Sequence, residues 1–369
     1  MKLVVSKDEL INGLQAVQNI VGGRTTLPIL SNVLLQVAES KLELTATDLD
    51  VTISCVVEAK VEKVGATTLP VKRLFSIVRE LGALEVELEV DDKHSCCLRS
   101  GSSFFRVNGL APEEFPPLPK LQDQQKLALG QAKLKRMLRR TAFATSTDET
   151  RYVLNGLFFS LREHKIIVVA TDGRRLALTD EEVELGAGVE RDFIVPTKAV
   201  SEISRLLQEK GEVDISLGEN QAAFRLRQEE RLEALVVTKL VEGTYPNYQQ
   251  VIPRESKERI TLVREELVQA LRRAEIMTSE KSNSVKLTFG QNSLAITANT
   301  PEVGEARESL AISYKGPDLA IAFNPGFLLD ALKALDDEEV FLEVTDELSP
   351  GVIKVNGPFL YVIMPMRTN

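Results

Sequence analysis

The sequence predicts an α+β protein made of three tandem copies of one unit, each with two helices packed on antiparallel strands. Three observations carry this. A strand-like run ending in alanine and small polar turn residues occurs three times, as Leu42-Glu43-Leu44-Thr45-Ala46-Thr47-Asp48, Ile166-Ile167-Val168-Val169-Ala170-Thr171-Asp172 and Leu294-Ala295-Ile296-Thr297-Ala298-Asn299-Thr300. At a similar offset after each run, a second strand-like run ends and a helix begins at a proline: Pro70, Pro196 and Pro325. Proline suits a helix start because the N–H it lacks would have no partner there. Each copy also opens with an amphipathic helix.

The first copy, 1–122, opens with a helix over 7–20. After Pro70 its second helix carries Leu74, Ile77, Val78 and Leu81 at helical spacing, and it closes on Phe115-Pro116-Pro117-Leu118-Pro119. The second copy, 123–253, opens with a helix over 133–143 and alternates as a strand through Leu157-Phe158-Phe159-Ser160-Leu161-Arg162. Its second helix carries Ala199, Ile203, Leu206 and Leu207, and it closes on Tyr245-Pro246 running on to Pro253. The third copy, 254–369, opens with a helix over 265–276, and its second helix carries Leu328, Leu332 and Leu335. The strand Val340-Phe341-Leu342-Glu343-Val344 follows, and the copy ends at Met364-Pro365-Met366-Arg367.

Hydrophobic residues make up 43% and charged residues 27% of the 369, which excludes a disordered chain. Lys2, Lys7 and Asp8 interrupt the N-terminus before any long apolar stretch forms, and no later run is long enough to span a bilayer, so a cytoplasmic protein is expected. The cysteines are Cys55 and the neighbours Cys96 and Cys97, which on a strand would point to opposite faces. They are expected to be small buried or half-buried side chains, with no metal and no cofactor. His94 and His164 sit in no nucleophile or ligand motif, and Gly22-Gly23-Arg24 lacks the lysine and hydroxyl of a phosphate loop. Asp48 and Asp172 recur at equivalent positions but lack a local carboxylate cluster, so they read as turn residues bonding backbone N–H groups. No catalytic residues are expected.

The net charge of −9 argues against a surface that attracts nucleic acid everywhere, so the distribution matters. The helix Lys133-Leu134-Lys135-Arg136-Met137-Leu138-Arg139-Arg140 holds five cations and no acid. Leu134, Met137, Leu138 and Ala142 form its apolar stripe, which leaves Lys133, Arg136 and Arg140 together on the exposed side. Lys72 and Arg79 share a face in the first copy, as Lys198 and Arg205 do in the second, while Arg264, Arg272, Arg273 and Lys333 are the third copy's candidates. A wall of such helices suits the phosphates of a duplex without reading base edges. With no tryptophan, single-strand stacking is a poorer fit.

The whole chain resembles the β subunit of bacterial DNA polymerase III, the sliding clamp family. The resemblance is carried by Gly22-Gly23-Arg24-Thr25-Thr26-Leu27-Pro28-Ile29-Leu30, Arg151-Tyr152-Val153-Leu154-Asn155-Gly156, Ala170-Thr171-Asp172-Gly173-Arg174-Arg175-Leu176-Ala177 and Val362-Ile363-Met364-Pro365-Met366-Arg367. It implies three tandem DNA-clamp folds, inner helices on outer sheets, and a head-to-tail homodimer closed into a ring. It also implies a non-enzymatic processivity factor that binds double-stranded DNA without sequence preference. The implied partners are the polymerase III α subunit, a clamp loader, and other polymerases and repair proteins that carry linear peptide motifs.

The family's DNA contacts fall on Arg24, Lys72, Arg151 and Tyr152. Its peptide pocket falls on Leu154, Thr171, Gly173, Arg174, Arg175, Leu176, Pro246, Val251, Asn324, Phe327, Leu348, Val362, Ile363, Met364, Pro365, Met366 and Arg367. Its dimer interface falls on Phe105 and Val107 against Ile276 and Met277, with Arg73 near Glu302, Glu305 and Glu308. Asp148 stands where a well-known member has an amide, and Asn12 leaves the first inner helix less basic than the family pattern. A second reading is a ring or arc that scaffolds peptide-bearing proteins without enclosing DNA. A third is a metal-dependent hydrolase built on the aspartates.

Overall fold

A computed structural model describes residues 1–22, 27–119, 125–184, 190–227, 233–280 and 282–367. The first repeat contains β1 (Lys2–Ser6), α1 (Lys7–Gln18), β2 (Asn32–Ala38), β3 (Lys41–Thr47), β4 (Val51–Glu58), β5 (Lys60–Lys63), β6 (Gly65–Pro70), α2 (Val71–Glu80), β7 (Glu85–Val90), β8 (Ser95–Ser100) and β9 (Ser103–Asn108). The second contains β10 (Gln125–Gly130), α3 (Gln131–Thr141), β11 (Gly156–Arg162), β12 (Lys165–Thr171), β13 (Arg175–Glu182), β14 (Arg191–Pro196), α4 (Thr197–Leu206), β15 (Glu212–Leu217), β16 (Gln221–Arg227) and β17 (Glu233–Lys239). The third contains β18 (Glu258–Val263), α5 (Arg264–Glu275), β19 (Val285–Gly290), β20 (Ser293–Thr300), β21 (Gly304–Ala311), β22 (Leu319–Phe323), α6 (Pro325–Lys333), β23 (Glu339–Val344), β24 (Gly351–Lys354) and β25 (Phe359–Ile363). Apart from the added β5, the three orders are identical. The helices begin where the prolines place them: Pro70 and Pro196 are the last residues of strands, and Pro325 is the first of α6.

The chain forms two compact units, residues 1–135 with 198–241, and residues 136–197 with 242–369. They cut across the repeats because the second repeat lends strands to both neighbours. In the first unit β17 pairs with β4, which makes the sheet β10-β15-β16-β17-β4-β3-β2-β6. In the second unit β25 pairs with β13, which makes β14-β11-β12-β13-β25-β24-β23-β18. The remaining sheets are β5-β1-β7-β8-β9 in the first unit and β21-β20-β19-β22 in the second.

The register makes these joins equivalent side chain by side chain. One inward row runs Leu127, Ile215, Phe224, Val236 and continues across the join into Ile53 and Ala46. The matching row runs Ile260, Leu342, Ile353, Tyr361 and continues into Ala177 and Ala170. Among the described residues a third row, Leu3, Leu88, Leu98, Phe105, stops at β9, and the pair Ala306 and Ala298 begins at the edge strand β21. Val236 and Tyr361 are fully buried, while Phe105 at the open end is 38% exposed.

The expected apolar stripes are core. Leu74, Val78, Leu134, Met137, Leu138, Ala199, Ile203, Leu328 and Leu332 are all buried, with dispersion and hydrophobic burial as the holding forces. α1 lies close on β3 and β4 because Gly13 leaves room there: a Cβ at that position would stand 3.0 Å from a Leu44 methyl. β5 is short and charged, which protects its exposed edge from pairing with other chains. His164 is a hairpin residue: it follows Glu163 between β11 and β12, both with positive φ, the geometry of a two-residue type I′ turn. Asp48 and Asp172 accept backbone N–H bonds from the residues two and three further on, as expected of turn residues.

Cys55 and Cys96 are buried, and burial pushes each thiol up to about 12. At pH 8 these two should therefore stay protonated and unreactive in the native protein, leaving only the half-buried Cys97 to react. Mass spectrometry after iodoacetamide treatment should find one label per native chain and three after denaturation. Native labelling at Cys55 would contradict this packing.

Candidate functional site

The motif around Asp172 folds into a cross-braced turn between β12 and β13. The Thr171 hydroxyl donates to Arg175 O at 2.6 Å and accepts from Gly173 N at 3.1 Å, while Asp172 Oδ1 accepts from Arg174 N and Arg175 N. Gly173 sits at φ +85, where a side chain would strain the backbone. Arg175 then fixes the turn to its surroundings. It donates to Asp330 at 2.7 Å, to Asp172 at 3.0 Å and to Phe143 O at 2.8 Å, and its guanidinium lies 4.2 Å from the centre of the Phe327 ring. Burial opposes the Arg175 charge, but Asp330, Tyr361 and Asp172 more than offset it and raise its pKa.

Other predicted pocket residues gather around this turn. Met364 N donates to Arg174 O and Met366 N to Ala322 O, so the chain end leaves β25 alongside both segments. Asn324 caps α6 by accepting from Phe327 N, and the Tyr361 hydroxyl holds Phe327 O at 2.8 Å. Tyr245 stacks on Phe158 with centroids 4.8 Å apart, which anchors the loop that continues through Pro246 to Val251. Val251, Leu348, Met364 and Met366 are 48%, 68%, 43% and 37% exposed, an apolar surface unusual for side chains with nothing over them. Pro365 is half-buried and Arg367 exposed. Leu154, Leu176, Val362 and Ile363 are buried, and Leu176 pairs with Val362 on the face of the sheet opposite Ala177 and Tyr361.

The first unit contains the same turn with different chemistry. The Thr47 hydroxyl donates to Val51 O and accepts from Leu49 N, and Asp48 Oδ1 accepts from Asp50 N and Val51 N. Leu49 takes the place of Gly173 and adopts φ +79 despite its side chain. Lys198, which by its place after the helix-start proline matches Phe327, pairs with Asp48, and Lys239 pairs with Asp50 at 2.9 Å. One backbone thus carries ion pairs in the first unit and apolar surface in the second.

The basic helix faces divide into exposed and engaged groups. Lys72, Arg79, Lys133, Arg136, Arg151 and Tyr152 are exposed; Arg24 lies outside the described residues. Arg136 pairs with Glu181, and Arg79 with Glu80. Arg140 corrects the expectation of an exposed trio. Its side chain is only 10% exposed, it pairs with Asp337 at 3.0 Å, and Phe359 lies beneath its guanidinium. Position 140 follows Met137 by three residues and so borders the buried stripe; Arg139 takes the exposed place and pairs with Asp336. Arg205 is engaged too, donating to Gln15 O and Ala16 O near the end of α1 at 3.0 and 2.7 Å.

Of the predicted interface residues, Phe105 lies exposed on the edge strand β9 and Arg73 is exposed on α2. Ile276, Met277, Glu302 and Glu305 collect beside the edge strand β21: Thr300 bonds Met277 O, and a Cβ on Gly304 would meet the Met277 methyl. Val107 shares the face of Phe105 but is buried in its own chain beside Cys96. Glu308 is already paired with Arg273 at 2.6 Å, which holds its carboxyl below the usual range.

Models of the DNA polymerase III beta subunit match the N-terminal domain over residues 1–119, the central domain over 128–247 and the C-terminal domain over 249–367. The chain is 41% identical over 367 residues to the beta sliding clamp of Chlamydia muridarum, covering 100% of this chain and 99% of that one. It is 36% identical over 374 residues to that of Escherichia coli K12, covering all of both. The chain belongs to the DNA polymerase III beta subunit family, the beta sliding clamps. Its fold superimposes on the Bacillus subtilis DNA polymerase sliding clamp with a TM-score of 0.94 at 30% identity. It superimposes equally, at 35% identity, on a Bartonella birtlesii sliding clamp solved bound to griselimycin; both matches cover 100% of each chain. It is therefore a non-catalytic DNA sliding clamp, a processivity subunit of a replicative polymerase built from three tandem clamp folds. Among the described residues no helix is long and apolar enough to cross a membrane.

Sequence reasoning missed Phe143, Asp330 and Asp337 in this clamp. Each acts through Arg175 or Arg140 from a distant stretch of chain, which no local pattern reveals. Removing Asp337 would strand the buried Arg140 cation, at a cost of about 3 kcal/mol. Removing Asp336 from its exposed pair with Arg139 should cost less than about 1 kcal/mol. Thermal unfolding of Asp337→Ala and Asp336→Ala should show a clear drop in the midpoint for the first only. Equal drops would mean that Arg140 is solvated.

Proposed function

We propose that two copies of the chain close head to tail into a ring around duplex DNA, with domains 1–122, 123–253 and 254–369 in each copy. The observation that carries this is the interrupted sheet row. Both joins inside the chain place the last strand of one repeat beside the fourth strand of another, as β17 beside β4 and β25 beside β13. The strands left over by that rule are β9 and β21, each with one open edge. Continuing the same register between copies puts Phe105 opposite Ala306 and Arg106 opposite Glu305. Val107 then falls opposite Gly304, next to Met277. Arg73 and Arg106 supply positive charge, and Glu302 and Glu305 negative charge, to a heterologous contact whose rotation closes.

Within the ring, Lys72, Arg79, Lys133, Arg136, Arg151, Tyr152 and Arg24 contact phosphate without reading sequence. Lys198 and Arg205 add to this field while holding the joins. The surface bounded by the Asp172 turn, Phe327 and the methionine-rich chain end takes short peptides with Leu and Phe anchors, since methionine adapts to several partners. The polymerase III α subunit, the clamp loader and other polymerases or repair proteins are the peptide donors, in the cytoplasm.

The register is tested with Phe105→Cys and Ala306→Cys in one chain. Mild oxidation should give covalently linked dimers, whereas Phe105→Cys combined with Ser309→Cys, three positions out of register, should give none. Linked dimers in both cases, or in neither, would rule out this pairing.

A further inference from the structure

We propose that the loop over residues 148–152 and the turn at the mouth of the peptide groove act as one coupled unit, with Arg151 as the exchangeable link, so that duplex DNA engaged by Arg151 weakens peptide binding. The inference rests on the DNA and peptide roles proposed above and concerns how the two sites act on each other.

Arg151 does not simply project into solvent. Its Nη1 donates to the backbone carbonyl of Asp172 at 3.3 Å. The same nitrogen lies 3.1 Å from where a Cβ on Gly173 would stand, so it covers the apex of the turn. Its Nε faces Asp148 at 3.6 Å, while Asp148 holds Thr150 N at 3.0 Å and shapes the loop. From the other side, Arg175 ties the turn to Asp330 and to Phe143 O just past the end of α3. A second contact runs in parallel: a Cβ on Gly243 would stand 2.8 Å from a Val153 methyl and 3.5 Å from the Tyr152 hydroxyl, and Gly243 leads into Tyr245-Pro246 of the groove. The loop facing DNA therefore touches both the turn and the segment that border the groove.

The two arginines differ in what can displace them. Arg175 is buried and held by two carboxylates, so it stays. Arg151 is 56% exposed, meets the Asp148 carboxylate only at 3.6 Å, and bonds a neutral carbonyl, a weaker acceptor than a charged phosphate oxygen. A phosphate that captures the guanidinium removes its hold on Asp172 O, and a peptide entering the groove must then order a looser turn. Because linkage is reciprocal, the peptide weakens duplex binding by the same factor. Loss of one exposed charge-assisted hydrogen bond corresponds to about a threefold change in affinity.

The test uses the full-length protein and a fluorescent peptide with Leu and Phe anchors, followed by anisotropy with and without a short duplex at low salt. Without DNA, Arg151→Met should bind the peptide about threefold more weakly than the parent. Duplex should weaken the parent to that same level and leave the Arg151→Met protein unmoved. A role for Arg151 confined to phosphate would not change peptide affinity in the absence of DNA, so equal affinities there overturn the coupling. So does a duplex effect of the same size on both proteins. Failure of the parent to bind the peptide, or binding that survives deletion of residues 364–367, would instead overturn the groove reading, and the coupling with it.

Discussion

The structure depends on the continuation of one sheet row across each repeat boundary. A strand edge is a line of unpaired N–H and C=O groups, and a fold of this size must pair, cover or charge every one it exposes. Here the second repeat meets that demand twice, by placing β17 beside β4 of the first repeat and β13 beside β25 of the third. The inward side chains stay in phase across both joins, so Val236 meets Ile53 in the first unit and Tyr361 meets Ala177 in the second. That phase makes the compact units differ from the repeats, and it leaves Phe105 and Ala306 as matched open ends. Closure by a second copy satisfies those edges with the chemistry already used twice within the chain.

Each join also supports a turn whose backbone bonds are the same in both units, yet whose side chains have diverged. Where Lys198, Asp48, Lys239 and Asp50 neutralise one another, the surface is closed by charge. Where Gly173, Phe327, Met364 and Met366 stand instead, the same frame is open and apolar. The acidic sum of −9 is distributed in a related way. Several of its carboxylates, among them Asp336, Asp337 and Glu181, pair with arginines of α3.

The threefold order was legible in the sequence because its signals are local: proline at a helix start, Leu74 and Val78 at helical spacing, and the Ala-Thr-Asp turn. The motif residues of the groove were legible only through family resemblance, since nothing local brings Arg175 to Phe327 or Met366 to Ala322. The joins were not legible at all, because strand pairing between positions such as 53 and 236 leaves no trace in either segment. Arg140, Val107 and Glu308 show the same limit at single-residue scale. A helical face read by spacing alone does not reveal that an aspartate almost two hundred positions away will bury one arginine of the three. An alternating edge strand does not reveal that, of two residues on one face, Val107 is covered by its own chain while Phe105 stays open.

The central claim is that the chain holds DNA by enclosing it, with sheets continuous from copy to copy, and topology separates this from charge attraction. The direct measurement is retention on nicked circular DNA, loaded with a clamp loader and ATP, before and after the circle is cut to a linear form in moderate salt. The account predicts stable retention on the circle and release over the ends once it is linear. Equal retention on both forms would contradict it, because a protein held by phosphate contacts alone has no reason to distinguish a circle from a line.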